Sequence, residues 1–119
     1  MTDNAPFDKL IGEQLSAVSF VQDYVELHFG GPVIRALANP IITDDAGTVA
    51  FPDPGSRDRI CRIITQIVRE VDLTEDLELR IRFTEAQIVV PLNGARSPGP
   101  EAMHFQDSVT APVQVWNTV

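Results

Sequence analysis

A chain of 119 residues, 44% of them hydrophobic, is sized for a single domain spanning 1–119 around one core. Seventeen acidic residues against nine basic ones give a formal charge of −8, which argues against nucleic acid or an anionic membrane as a partner. One cysteine, Cys61, precludes an internal disulfide, and MTDNAPFDKL lacks the basic-then-apolar pattern of a secretory signal. The apolar runs are also too short to span a bilayer, so the expected setting is reducing and cytoplasmic.

Residues 1–9 are polar and expected to fray, with one helical turn over Pro6 to Ile11 interrupted by Gly12. Val18 and Phe20 occupy even positions, whereas Val25, Leu27 and Phe29 occupy odd ones. One straight strand cannot hold both sets on one face, so Val21-Gln22-Asp23-Tyr24 is predicted to be a tight turn or bulge between two antiparallel strands. Gly30-Gly31-Pro32 signals a second turn, because glycine tolerates positive φ and proline fixes its own. A third strand, Val33 to Ala38, breaks at Asn39-Pro40, and Ile41-Ile42 resumes an extended course. Residues 43–56, TDDAGTVAFPDPGS, read as a surface loop with Val49 and Phe51 pinned to the core.

In SRDRICRIITQIVREV, residues Ile60, Ile63, Ile64, Ile67, Val68 and Val71 recur at helical spacing and predict one amphipathic helix. Asp53-Pro54 or Ser56 would cap it, and Cys61 at the edge of the stripe reads as a half-buried packing thiol. LELRIRF predicts a strand with Leu77, Leu79, Ile81 and Phe83 on one side and Glu78, Arg80 and Arg82 on the other. Thr84 to Gln87 turns the chain into Ile88 to Leu92, where Pro91 implies an edge strand or a strand end. Asn93-Gly94 and Ser97-Pro98-Gly99-Pro100 mark a loop, and the final segment is extended in part, Val113 and Val115 alternating before Trp116. The fold class expected is α+β: a curved or partly closed antiparallel sheet of five to seven strands, with one amphipathic helix packed on its apolar face.

Candidate site residues follow from the polar sides of these strands. Tyr24, Glu26 and His28 share a face and are the candidates for proton chemistry; Arg80 and Arg82 are the candidates for holding an anion. In one sheet, Glu26 would pair across strands with Arg80 or Arg82. Arg57, Arg59, Arg62 and Arg69 form a second helix face that reads as outward and solvated. Glu101 and His104 form an ExxH pattern, but two histidines and one cysteine in the whole chain do not make a metal site, and no cofactor signature is present. Residues 1–56 carry eight acids against Lys9 and Arg35, a net −6, with Asp44, Asp45 and Asp53 as candidates for meeting a basic protein.

The segments LIGEQLSAVSFVQDYVELHFGG, CRIITQIV, LELRIRF and GPEAMHF with the late VW resemble a group of small bacterial proteins of unknown function, some related to toxin-immunity proteins. The likeness covers most of the chain from Leu10 onward. It implies a compact single bacterial domain and tilts away from a known enzyme class; its motifs are not catalytic, and it carries no functional residue across. The expected function is therefore a non-enzymatic protein-binding module of the immunity or accessory type, using an acidic surface. A small enzyme or anion-binding protein around His28 and Arg80 is the alternative. A homodimer whose edge strand or Trp116 is covered by a second copy is a third.

Overall fold

The computed structural model describes residues 4–22, 24–94 and 99–118. In chain order its strands are β1 (Ala17–Val21), β2 (Tyr24–His28), β3 (Val33–Ala36), β4 (Ile41–Asp44), β5 (Gly47–Ala50), β6 (Val68–Thr74), β7 (Glu78–Phe83), β8 (Gln87–Pro91), β9 (Glu101–Gln106) and β10 (Val113–Asn117). One helix, α1 (Ser56–Cys61), separates β5 from β6. The strands form two antiparallel five-stranded sheets, ordered β1-β2-β3-β9-β10 and β5-β4-β8-β7-β6. The antiparallel α+β class expected from sequence is present, but as two sheets with a short helix rather than one curved sheet of five to seven strands under a long one.

The reason is a shared apolar layer. Leu27, Ile34, Met103 and Phe105 from the first sheet and Ile42, Leu79, Ile81, Ile88 and Val90 from the second belong to one buried cluster. Phe29, just past β2, stacks on Phe83 with ring centroids 6.5 Å apart. Each such side chain, fully buried, contributes roughly 1.5–3 kcal/mol. The second sheet thus covers the face that the sequence reading assigned to a helix. A 3-10 turn at Phe7–Leu10 closes the core from outside, with the Phe7 ring edge-on to Phe105 at 5.2 Å. Residues 1–3 of the segment expected to fray lie outside the described residues, whereas Phe7 itself is fully buried.

The turns read from sequence at 21–24 and 30–32 are in place, and Ser97-Pro98 of the later loop lies outside the described residues. The β1–β2 ladder runs to Val21 opposite Tyr24; Asp23, within that turn, lies outside the described residues. Gly30 has φ 78° and the Phe29 N–H donates to the Pro32 carbonyl at 2.9 Å, closing the β2–β3 hairpin.

The long helix is overturned. α1 stops at Cys61, residues 62–65 turn, and Thr65 takes a positive φ of 86°. The β-branched run that follows joins a ladder instead: Thr65 N–H donates to Leu15 O, Leu15 N–H to Gln66 O and Val68 N–H to Glu13 O. In β6, Val68 and Val71 share the buried face because the register against β7 slips between Val68 and Glu70. A bulge of this kind turns the two-residue strand period into a three-residue step, which imitates a helical stripe. Ile67 is exposed as a result, and Cys61 is exposed rather than half-buried. Gly55, at φ 86°, precedes α1 without a side-chain cap; neither Asp53 nor Ser56 serves.

The 43–56 loop is also corrected. Its first half is the β4–β5 hairpin, with Asp44 opposite Gly47, Asp45-Ala46 at the tip and the Asp44 Oδ1 accepting from the Ala46 N–H at 2.9 Å. Phe51 is buried and Val49 packs against the core, as their hydropathy requires. Leu77 precedes β7 and is 45% exposed, so the apolar side of that strand begins at Leu79. β8 is central, but β4 pairs only with Gln87, Ile88 and Val89, leaving Pro91 at a strand end where no donor is needed from it. No helix among the described residues is long and apolar enough to cross a membrane.

Thr65 is an exposed β-branched residue in left-handed backbone, a conformation that glycine adopts without a Cβ clash. Thr65→Gly is expected to stabilise the protein by about 1 kcal/mol, read as a higher urea midpoint at unchanged slope. A lower midpoint would show that Thr65 is not strained.

Candidate functional site

Register decides which polar side chains meet on the first sheet. Ser19, Glu26, Arg35 and His104 are successive cross-strand neighbours on β1, β2, β3 and β9. Arg35 Nε donates to Glu26 Oε2 at 2.8 Å, and Arg35 Nη2 to Gln106 Oε1 at 3.3 Å. Glu26 therefore pairs with Arg35, and the expected pairing with Arg80 or Arg82 does not occur. Counting outward from Gly30-Gly31 pairs His28 with Val33, Leu27 with Ile34 and Glu26 with Arg35, so this partner was available from the hairpin alone.

His28 Nε2 lies 3.3 Å from Glu26 Oε1 and 3.4 Å from Ser19 Oγ. A serine, a histidine and a carboxylate in contact invite comparison with a proton relay. A relay needs the hydroxyl on one ring nitrogen and the carboxylate on the other. Here both contacts converge on Nε2, and the carboxylate is already engaged by a guanidinium. The contacts link β1, β2, β3 and β9, and they do not have the geometry of a relay. Tyr24 lies further along β2, opposite Val21, with no side-chain hydrogen bond among the described residues.

Glu101 and His104 do meet, with Oε2 2.8 Å from Nε2, but on a strand and not on a helix. Asn117 pairs with Glu101 and Trp116 with Met103, so Ala102 is the extra residue of a bulge that brings positions 101 and 104 to the same side. Among the described residues no three His, Cys, Asp or Glu converge as metal ligands.

Arg80 and Arg82 belong to the other sheet. Arg80 Nη2 donates to Glu78 Oε2 at 2.9 Å and lies opposite Asp72; Arg82 Nη1 donates to Glu70 Oε2 at 3.0 Å. Each is charge-compensated on its own face, and neither joins His28.

A cleft of about 500 Å³ opens between the β4–β5 hairpin, α1 with its following turn, and the β7–β8 turn, lined among others by Asp44, Asp45, Arg59, Arg62, Gln66 and Glu85. Arg59 is among its lining residues. Its Nε and Nη2 grip Asp44 Oδ2 and Oδ1 at 3.0 and 2.5 Å, and Nη2 also reaches the Gly47 carbonyl. The pair is largely enclosed, with side chains 14% and 11% exposed. The Arg59 hydrogen bond, reinforced by the Ala46 N–H, holds the Asp44 carboxyl below its ordinary range, and Asp44 holds Arg59 more firmly protonated. Asp44 is thus committed internally. Asp45 at the hairpin tip and Glu85 at the opposite turn are exposed, and among the described residues neither carboxylate has a hydrogen bond or ion pair; Arg62 is in the same condition. Asp53 is exposed beyond β5 and does not line the cleft. Sequence reasoning missed Arg59, Arg62, Gln66 and Glu85 as a group, because only the tertiary fold joins segments that far apart.

No protein family, curated protein or solved structure matches the chain.

The charge on Asp44 stabilises the folded state at any pH above 3.8, its ordinary value, and that contribution is lost as pH falls through the lower folded value. Asp44→Asn is expected to lower the urea midpoint at neutral pH, with the difference from the parent narrowing below pH 3.8. An equal difference in acid and at neutrality would contradict the assignment.

Proposed function

We propose that the chain is a non-enzymatic binding module that receives a cationic side chain of a basic protein partner in the cleft between Asp45 and Glu85. The observation carrying this reading is the state of the charges. Arg59 is paired with Asp44, and Asp45 and Arg62 act on that pair only through space. Among the described residues, the groups of the cleft without a hydrogen bond or ion pair that can meet a partner are therefore two carboxylates, Asp45 and Glu85, and one guanidinium, Arg62. An incoming lysine or arginine would answer the carboxylates, and an acidic neighbour on the same partner would answer Arg62. The net −8 of the chain assists by drawing a basic partner in from solution. An immunity or accessory protein is the form of such a module that the sequence resemblance implies.

The enzyme alternative draws less support. His28 and Arg80 lie on different sheets, and the serine and carboxylate near His28 share one ring nitrogen.

A titration of isotope-labelled protein with a short arginine- and lysine-containing peptide should shift backbone resonances of Asp45, Gln66, Glu85 and Ala86 first. The shifts should weaken as ionic strength rises from about 0.01 to 0.15 M. Asp45→Asn with Glu85→Gln should abolish them without altering the fold. Shifts centred instead on the Glu75-Asp76 turn, unaffected by that double substitution, would overturn the proposal.

A further inference from the structure

Among the described residues the two sheets have four outer strands, and three of them carry some protection against pairing. β6 carries Arg69, Glu70 and Asp72, contains a bulge, and has its Leu73 N–H taken by Asn4 Oδ1 at 2.9 Å. β5 is four residues long, and Arg59 occupies its Gly47 carbonyl. β1 is preceded by Gly12–Leu15, which is paired with Gln66–Val68, and its Phe20 lies beside Phe51 under the Arg57 guanidinium. Charge, shortness, bulging and coverage are the devices by which edges avoid pairing with another chain.

β10 has little of this protection. From Ser108 to Val119 the sequence holds no charged residue, the longest such run in the chain. Val113 and Val115 point away from the core, 45% and 47% exposed. The geometry points to β10 as a self-association edge, where a second copy of this chain adds its own β10 antiparallel and joins two five-stranded sheets into one. The occupant follows from charge. Two molecules at −8 repel wherever their acids approach, so a copy is tolerated best along an edge without charge; β1 and β5 are uncharged as well, but β10 lies in the longest uncharged run and shows two outward valines. The register is self-complementary as well. A two-fold axis at Gln114 sets Val113 of one copy opposite Val115 of the other and repeats that pair by symmetry.

Sedimentation of the full chain tests this independently of the cleft. The expected result is twice 13.1 kDa at high concentration. Added salt should tighten the dimer by screening like charges, opposite to its effect on a basic ligand at Asp45 and Glu85. Val115→Lys should return the monomer, and Val115→Thr, which keeps strand propensity, should weaken association about tenfold. Val109→Lys, at an 89% exposed position outside the strand, should leave the dimer intact. A 13.1 kDa species at every concentration, or a dimer indifferent to both Val115 substitutions, overturns the proposal and leaves the edge to a strand from a different protein.

Discussion

The structure depends on keeping one apolar face of every strand turned toward a single shared layer. A strand offers only two faces, so wherever the sequence changes phase the backbone must shift with it. Among the described residues it does so by bulging in β6 and in β9. In β6 the slip places Val68, Val71 and Leu73 on the same side although their numbers differ in parity; in β9 adjacent Ala102 and Met103 are both buried. The second bulge has an effect outside the core, since it is what brings Glu101 and His104 together on the outer surface.

How much of this was legible depended on range. The turns at 21–24, 30–32 and 84–87 involve neighbours in sequence, and glycine, proline or a change of apolar phase announces them. The segment around Ile60 was misread because a short helix, a turn and a bulged strand together reproduce the spacing of a longer helix. What breaks the imitation is the slipped pairing of β6 against β7 and the ladder from Gly12–Leu15, neither of which periodicity detects. The β4–β5 hairpin was hidden for a compositional reason, its tip being Asp45-Ala46 rather than the asparagine-glycine or aspartate-glycine pair that favours tight hairpins. Arg35 was within reach of simple counting. The cleft was not, because it joins hairpin, helix and turn through tertiary packing alone.

The outer faces show how an acidic chain arranges its few cations. Arg35, Arg59, Arg80 and Arg82 each lie against a carboxylate, and Lys9 bridges to Asp107 at 3.0 Å. The exposed pairs contribute little to stability, with about 0–1 kcal/mol as the usual range. Their larger effect is to cancel charge locally across both sheet faces. The unbalanced acids are thereby concentrated at turns and hairpin tips, and Val113 and Val115 of β10 stand exposed on an uncharged outer strand.

Trp116 sits where the first described turn meets the last strand, half-buried with its ring 4.9 Å from Phe7. It is the sole tryptophan of the chain. Its fluorescence therefore belongs to one place, and the emission colour reports, without any added label, whether the seam between these two distant segments is sealed or wet.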